Sequence, residues 1–386
     1  MMIAYGIIGR KDAHEPRVGA RVGERVVDLA QLSELGLMGK LSSEIFSTIT
    51  LNPLIRQGLS FRKEVKRYVM EALANNVPGG IAEKAVYDIR SLKIYHPLHI
   101  GGFTDFYASK QHATNIGKIF RPQNPLLPNW QHLPIAYNGR ASSVVTSGHN
   151  VKRPQGQILR GDSPQLDYTA KLDFEIELGI VIGKDSILGQ PIPLSAANEY
   201  IFGVCLVNDW SARDIQAWEY QPLGPFTAKS FLTSISAFIV PLEELESYKV
   251  PAVVQDPAPL DYLKQPHPTS YDLEFELLLK TAANPYGVVL SRTNFKYMYW
   301  TMQQWITHHT VSGCNLQVGD LLASGTISGD TPDSLGSLME LTLNGTKPLQ
   351  LANGEQRTFL EDGDEVIIRA LAGGEEFLEV AGKVVR

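Results

Sequence analysis

The segment Leu172-Asp173-Phe174-Glu175-Ile176-Glu177-Leu178 alternates apolar and acidic residues without a break. This is the pattern of a strand with Leu172, Phe174, Ile176 and Leu178 on one face and three carboxylates on the other. Same-face neighbours along a strand stand about 6.6 Å apart. Oxygens of Glu175 and Glu177 can therefore converge on one cation, and they repel each other without it. Oxygen ligands alone favour Ca²⁺ or Mg²⁺ over zinc. The plainer alternative is a strand whose acidic face lies in water.

Two more carboxylates stand in unusual settings. Asp105 lies in Gly101-Gly102-Phe103-Thr104-Asp105-Phe106-Tyr107, and Asp209 follows the apolar run Ile201 to Val207. Gly-rich loops and strand ends are where sites are built, although Asp105 alone reads as a turn residue and Asp209 alone as a helix cap. Beyond Asp209, helical spacing aligns Arg213, Gln216 and Tyr220 on one face. His112 is the candidate base, with His132, His308 and His309 as competitors; the last two suit a helix C-terminus. GxSxG, HExxH, GxxxxGK[ST] and GxGxxG patterns in the required contexts are absent from the sequence. Ser324-Gly325-Thr326-Ile327-Ser328-Gly329 lacks a phosphate-loop lysine and reads as a backbone-rich pocket wall.

The rest of the chain predicts a mainly β, α+β fold. A hairpin is expected over Arg17 to Leu29, and a helix from Ser60, as N-cap, to Asn76, stopped by Pro78-Gly79-Gly80. Composition shifts near His96, which places a domain boundary between Leu92 and Ile100. Strands are expected at Ile201 to Val207, Ser234 to Val240, Leu273 to Lys280 and Glu365 to Arg369, the last preceded by the turn Asp362-Gly363-Asp364. Met298, Met302, Trp305 and His309 recur at helical spacing after a cap near Asn294, a stripe read as core packing.

With 386 residues and 44% apolar content, the chain can bury a sizeable core in one large domain or two. Its 41 acidic and 35 basic residues are interspersed, giving a net charge of −6 and no basic block for nucleic acid. Apolar runs fall short of the roughly 20 residues of a membrane span, and Met1 to Arg10 lacks a signal-peptide layout. A cytoplasmic location is expected. Cys205 and Cys314, the only cysteines, offer neither a disulfide framework nor a CxxC metal site.

Several longer words resemble the fumarylacetoacetate hydrolase family. They are Thr104-Asp105-Phe106-Tyr107, Arg140-Ala141-Ser142-Ser143, Asn208-Asp209-Trp210-Ser211-Ala212-Arg213-Asp214-Ile215-Gln216, Pro222-Leu223-Gly224-Pro225-Phe226, Lys296-Tyr297-Met298-Tyr299-Trp300-Thr301-Met302 and Leu322-Ala323-Ser324-Gly325-Thr326-Ile327-Ser328-Gly329. The resemblance covers nearly everything from Gly102 onward and is looser before Ile100. It implies an N-terminal SH3-like small barrel over residues 1–96 and a catalytic mixed β-sandwich roll over 97–386, assembled as a homodimer. The implied reaction is metal-dependent hydrolysis of a carbon–carbon bond in a β-diketo acid, here fumarylacetoacetate, at the end of tyrosine and phenylalanine degradation.

Position by position, the resemblance assigns a Ca²⁺ or Mg²⁺ site to Asp105, Glu175, Glu177 and Asp209, leaving Asp173 out. It assigns the general base to His112, oriented by Glu340, with Arg213, Gln216 and Lys229 as donors and positive charge. Tyr107, Arg121, Tyr137, Gln216, Tyr220 and Thr326 are implied to hold the substrate. A second cation is implied near Lys229 and Thr233. Asn138 and the loop Pro122 to Leu126 depart from the family's animal members, at the substrate rim. An acylpyruvate hydrolase, or a decarboxylase or hydratase of the wider superfamily, would share the carboxylates, but His112 with Glu340 points to water activation. A calcium-binding β module would leave Arg213, Gln216, Lys229 and His112 unexplained.

Overall fold

In the computed structural model, which describes residues 2–10, 13–351 and 354–386, the apolar run after Tyr200 forms the strand Ile201–Asp209, buried along its whole length. It pairs antiparallel with Ile176–Ile182, with Leu178 opposite Leu206. A run with no polar positions needs cover on both faces, and side-chain alternation divides these residues between two cores. Leu178, Ile180, Val204 and Leu206 pack in one cluster with Phe275, Leu277, Ile368 and Val380. Val181, Cys205 and Val207 pack in another with Val18, Val27, Val65 and Val69. Each fully buried aliphatic side chain contributes on the order of 1.5–3 kcal/mol relative to exposure.

The first core joins two sheets. The larger has the order Val86–Asp88, Arg25–Asp28, Ala13–Val22, Ala4–Arg10, Phe238–Pro241, Ile201–Asp209, Ile176–Ile182, Leu321–Ala323, Phe103–Phe106, Ala136–Asn138. The smaller runs Val288–Asn294, Glu274–Lys280, Glu365–Ala372, Glu375–Val385, Val151–Lys152. The architecture is therefore strand-rich and mixed, the class expected from the sequence. Because Tyr5 lies opposite Ile239, the N-terminal strands extend the central sheet.

The N-terminal hairpin turns at Gly23, whose φ of +61° suits glycine. Leu29 does not prolong its second strand. Asp28 instead caps the helix Leu29–Glu34, accepting from Gln31 N at 2.9 Å. The long helix runs Gly58–Ala74, so Ser60 lies inside its first turn, and it ends where Asn75 Nδ2 donates to Glu71 O, before Pro78. Arg62 holds this helix to Glu243 by two bonds of 3.0 and 3.1 Å and lies over the Phe202 ring. Lys66 adds a 2.6 Å contact to Glu244.

Other expected elements are interrupted for local reasons. The stretch Ser234 to Val240 divides into Thr233–Ile235 and Phe238–Pro241, because Ser236 Oγ accepts from Leu206 N and donates to Phe238 O. Asn294 caps only a single turn, Phe295–Tyr297. The α-helix starts at Met302 behind Thr301 and Gln304, which form a reciprocal capping box, so Met298 lies outside it. The alternating acidic strand is split as well. Leu172–Asp173 pairs with Ser211–Ala212, and the ladder resumes at Ile176 after Phe174 and Glu175. Among the described residues, no helix is long and apolar enough to cross a membrane.

Candidate active site

One oxygen each from Asp105, Glu175, Glu177 and Asp209 lies within 4.8 Å of the others, and all four side chains are buried. Three central strands bring them there. Asp105 lies on Phe103–Phe106, held beside Leu321–Ala323; Glu177 is on Ile176–Ile182; Asp209 ends Ile201–Asp209. Glu175 sits in the strand break, where its N–H donates to Asn208 Oδ1 at 3.1 Å.

The four residues divide into two pairs. Both oxygens of Glu177 and Oδ1 of Asp105 are buried with no hydrogen-bond partner among the described residues. Burial, then the neighbouring carboxylates, pushes both of these carboxyls well above the usual range. Orphaned buried oxygens with clustered negative charge are costly, and a hard divalent cation relieves both costs. The donor set therefore fits such an ion, and its all-oxygen character suits Ca²⁺ or Mg²⁺ better than zinc.

Glu175 and Asp209 are instead met by donors. Lys229 Nζ donates to Glu175 Oε2 and to Asp209 Oδ2, each at 2.6 Å. Arg213 Nη2 lies 2.8 Å from Glu175 Oε1. Burial disfavours the Glu175 charge, but Lys229 and Arg213 outweigh it and hold its carboxyl well below the usual range. Asp209 also accepts from Thr233 Oγ1 at 2.8 Å and Tyr137 OH at 3.0 Å. Burial and then Asp209 push the Tyr137 hydroxyl up, so it stays a donor.

His112 sits in the first turn of the helix Lys110–Phe120, its N–H donating to the N-cap Ser109. Its Nδ1 is 2.7 Å from Glu340 Oε2. The carboxylate thereby selects the tautomer with the proton on Nδ1 and leaves Nε2 as the proton acceptor. Glu340 Oε2 also accepts from Ser328 and Ser337 hydroxyls, both at 2.9 Å, and Oε1 accepts from Asn115 at 3.0 Å. Burial opposes its charge, yet His112 and these donors hold its carboxyl below the usual range. The Tyr107 ring meets the His112 imidazole edge-on, with centroids 5.3 Å apart. Burial, then Glu340 and Glu175, raises the Tyr107 hydroxyl, so it stays protonated.

Of the other residues singled out from the sequence, Gln216 accepts from Arg213 Nη1 at 3.2 Å. Thr326 Oγ1 and Arg121 Nε are buried without a partner among the described residues. Tyr220 ends the helix Arg213–Glu219, its hydroxyl accepting from Gln221. The competing histidines are occupied elsewhere or exposed: His308 meets Tyr262, His309 meets Thr104, and His132 faces solvent. The Ser324 to Gly329 stretch is buried, with Ser324 O accepting from Ala108 N and Ile327 N donating to Ile176 O.

Sequence reasoning missed the residues that hold Glu340. Ser337-Leu338-Met339-Glu340 matches the S-x-x-E capping pattern, a signal that marks a helix start, and Ser337 Oγ does accept from Glu340 N. Asn115, three positions beyond His112 on one helix face, was legible by spacing. Ser328 carried no such signal.

The model of the fumarylacetoacetate (FAA) hydrolase C-terminal domain matches residues 102–385, and that of the fumarylacetoacetase N-terminal domain matches residues 2–97. The chain is similar to the fumarylacetoacetase of Homo sapiens, with 44% identity over 99% of this chain and 95% of that protein. It is also similar to the fumarylacetoacetase of Arabidopsis thaliana, with 44% identity over 97% and 91%. Among solved structures, a fumarylacetoacetate hydrolase from Exiguobacterium antarcticum superposes with a TM-score of 0.55 over 99% of each chain, at 16% identity, a likeness of fold.

Proposed function

The chain belongs to the fumarylacetoacetate hydrolase family, and on that premise we propose that it hydrolyses fumarylacetoacetate to fumarate and acetoacetate, the closing step of tyrosine and phenylalanine breakdown. The observation that carries this reading is the buried His112–Glu340 pair beside the four-carboxylate cluster.

In this reading His112 Nε2 takes a proton from water, and the hydroxide adds to the carbonyl at the fumaryl end. The tetrahedral species collapses by breaking the carbon–carbon bond, the electron pair leaves on the acetoacetate fragment as an enolate, and its carbon takes up a proton. Glu340 keeps the imidazole oriented and stabilises its cationic form. A divalent cation held by Asp105, Glu175, Glu177 and Asp209 would supply Lewis-acid polarisation of the diketone oxygens. Arg213, Gln216 and Lys229 offer donors and positive charge to developing negative oxygen, each such donor worth about 3 kcal/mol. Four carboxylates around one divalent ion leave a local charge of about −2, which Arg213 and Lys229 offset for an anionic substrate. Arg121 meets the distal carboxylate, and Tyr107, Tyr137, Tyr220 and Thr326 fix its pose.

Calcium or magnesium is the proposed ion. A second cation is proposed near Lys229 and Thr233, where the Thr233 hydroxyl gives its proton to Asp209 and keeps its oxygen lone pairs for a ligand. Residues 1–96 are proposed to act as an SH3-like module buttressing the catalytic roll of 97–386, which the Arg62–Glu243 and Lys66–Glu244 pairs support. A homodimer is proposed, supported by the exposed Leu159, Leu166, Leu223 and Phe226, with sedimentation velocity as its test. A cytoplasmic location accords with two cysteines that form no disulfide.

The decisive experiment incubates purified protein with fumarylacetoacetate and Ca²⁺ or Mg²⁺, before and after chelation. Metal-dependent appearance of both acids is expected. Folded, metal-loaded protein that yields neither would overturn the reading.

A further inference from the structure

Asp173 is wholly buried and uses both oxygens twice. Oδ1 accepts from Phe174 N and Leu338 N, each at 2.8 Å. Oδ2 accepts from Met339 N at 3.0 Å and from Arg213 Nε at 2.8 Å. Leu338 and Met339 open the short helical turn Leu338–Leu341, whose third residue is Glu340. Arg213 presents its other nitrogens to Glu175 and Gln216. One carboxylate thus grips, at the same time, the turn that aims Glu340 at His112 and the guanidinium that borders the carboxylate cluster.

We propose that Asp173 is a positioning residue that fixes the His112–Glu340 pair relative to Arg213, and so sets where the attacking water is activated with respect to the positive charge that receives the oxyanion. This rests on the hydrolytic reading given above. All four partners are N–H donors, so both oxygens act as acceptors. An asparagine presents one oxygen and one NH2, and here the NH2 would face N–H groups that cannot accept a hydrogen bond. Misplacement of reacting groups by about 1 Å can cost on the order of 100-fold in rate.

The test uses the full-length metal-loaded protein and the variants Asp173→Asn and Asp173→Glu, the second retaining the charge but lengthening the arm. Either variant is expected to bind Ca²⁺ or Mg²⁺ within about threefold of the parent, to keep KM within a few-fold, and to lose about 100-fold in kcat. In a Glu340→Gln background the same substitutions should cost markedly less than in the parent, because one of the two positioned groups is already gone. A second readout is independent of turnover: the ring ¹⁵N shifts of His112 in selectively labelled protein should move on Asp173 substitution toward those of Glu340→Gln. If the parent shows no turnover, the hydrolytic reading fails while the ¹⁵N shifts still test the positioning. Unchanged kcat, a rate loss that persists fully in the Glu340→Gln background, or His112 shifts that stay at the parent values would overturn the proposal. Should Asp173→Asn fail to fold, Asp173→Glu carries the same comparison.

Discussion

His112 Nδ1 lies 2.7 Å from Glu340 Oε2 although 228 positions separate the two residues. A contact of that span exists only when the strand-rich core has closed, so the proposed base is assembled by the fold and not by any local motif. It makes the pair a direct probe of mechanism. Replacing His112 by alanine should lower kcat by about 100- to 10,000-fold, the usual worth of a general base, with metal affinity and thermal midpoint close to the parent. Steady-state kinetics on folded, metal-loaded protein check this, and near-normal turnover would remove His112 from the role.

Metal affinity should weaken as pH falls. Burial and mutual repulsion raise the Asp105 and Glu177 carboxyls well above the ordinary range, so the metal-free protein retains protons there at a pH where free carboxylates have lost them. The incoming cation must displace those protons, and lowering the pH through the raised values favours the protonated site. Calorimetric titration in two buffers of different ionisation enthalpy should show proton release on binding. Buffer-independent heats would contradict it.

Lys229 touches two of the four carboxylates, which gives its removal an unusual pair of effects. Lys229→Met takes away a positive charge that opposes a cation, so divalent-ion affinity should stay level or rise, while turnover should fall by about 3 kcal/mol in transition-state stabilisation. Parallel measurement of binding and kcat separates the two; a loss of metal affinity would assign Lys229 to building the site instead.

Gly325 has φ of +73°, and a methyl group there would stand 2.1 Å from Phe106 O. That carbonyl ends the strand carrying Asp105. Gly325→Ala should therefore destabilise the fold by more than about 1–3 kcal/mol and reduce metal binding with it, readable by thermal denaturation with and without the ion.

Much of this site was legible in the sequence, for physical reasons that also mark the limits. The carboxylates of Glu175 and Glu177 were visible because a two-residue period has one meaning, and the apolar run from Ile201 announced a doubly covered strand ending at Asp209. The interruption at Phe174 and Glu175 was not visible, since it depends on two acceptors from other segments, Asn208 Oδ1 for Glu175 N and Gly336 O for Ile176 N. Asp173 illustrates the same limit. Its alternation with Glu175 is plain, yet its partners Arg213, Leu338 and Met339 lie on two distant elements, and nothing in the local pattern distinguishes a ligand from a clamp. Helix starts erred where tertiary anchoring replaced a side-chain cap, as at Gln57.

The strand Ala4–Arg10 lies between Ala13–Val22 and Phe238–Pro241 in one continuous ladder. A nascent chain leaving the ribosome carries the first of those neighbours with it but must wait for the second until translation has passed Pro241. Until then Tyr5 and Gly6 lack their partners on that side, while Leu92–Tyr95 already covers Ile7 to Arg10. The ladder at the start of the chain is thus completed only by a strand from its middle, so the two parts mature together.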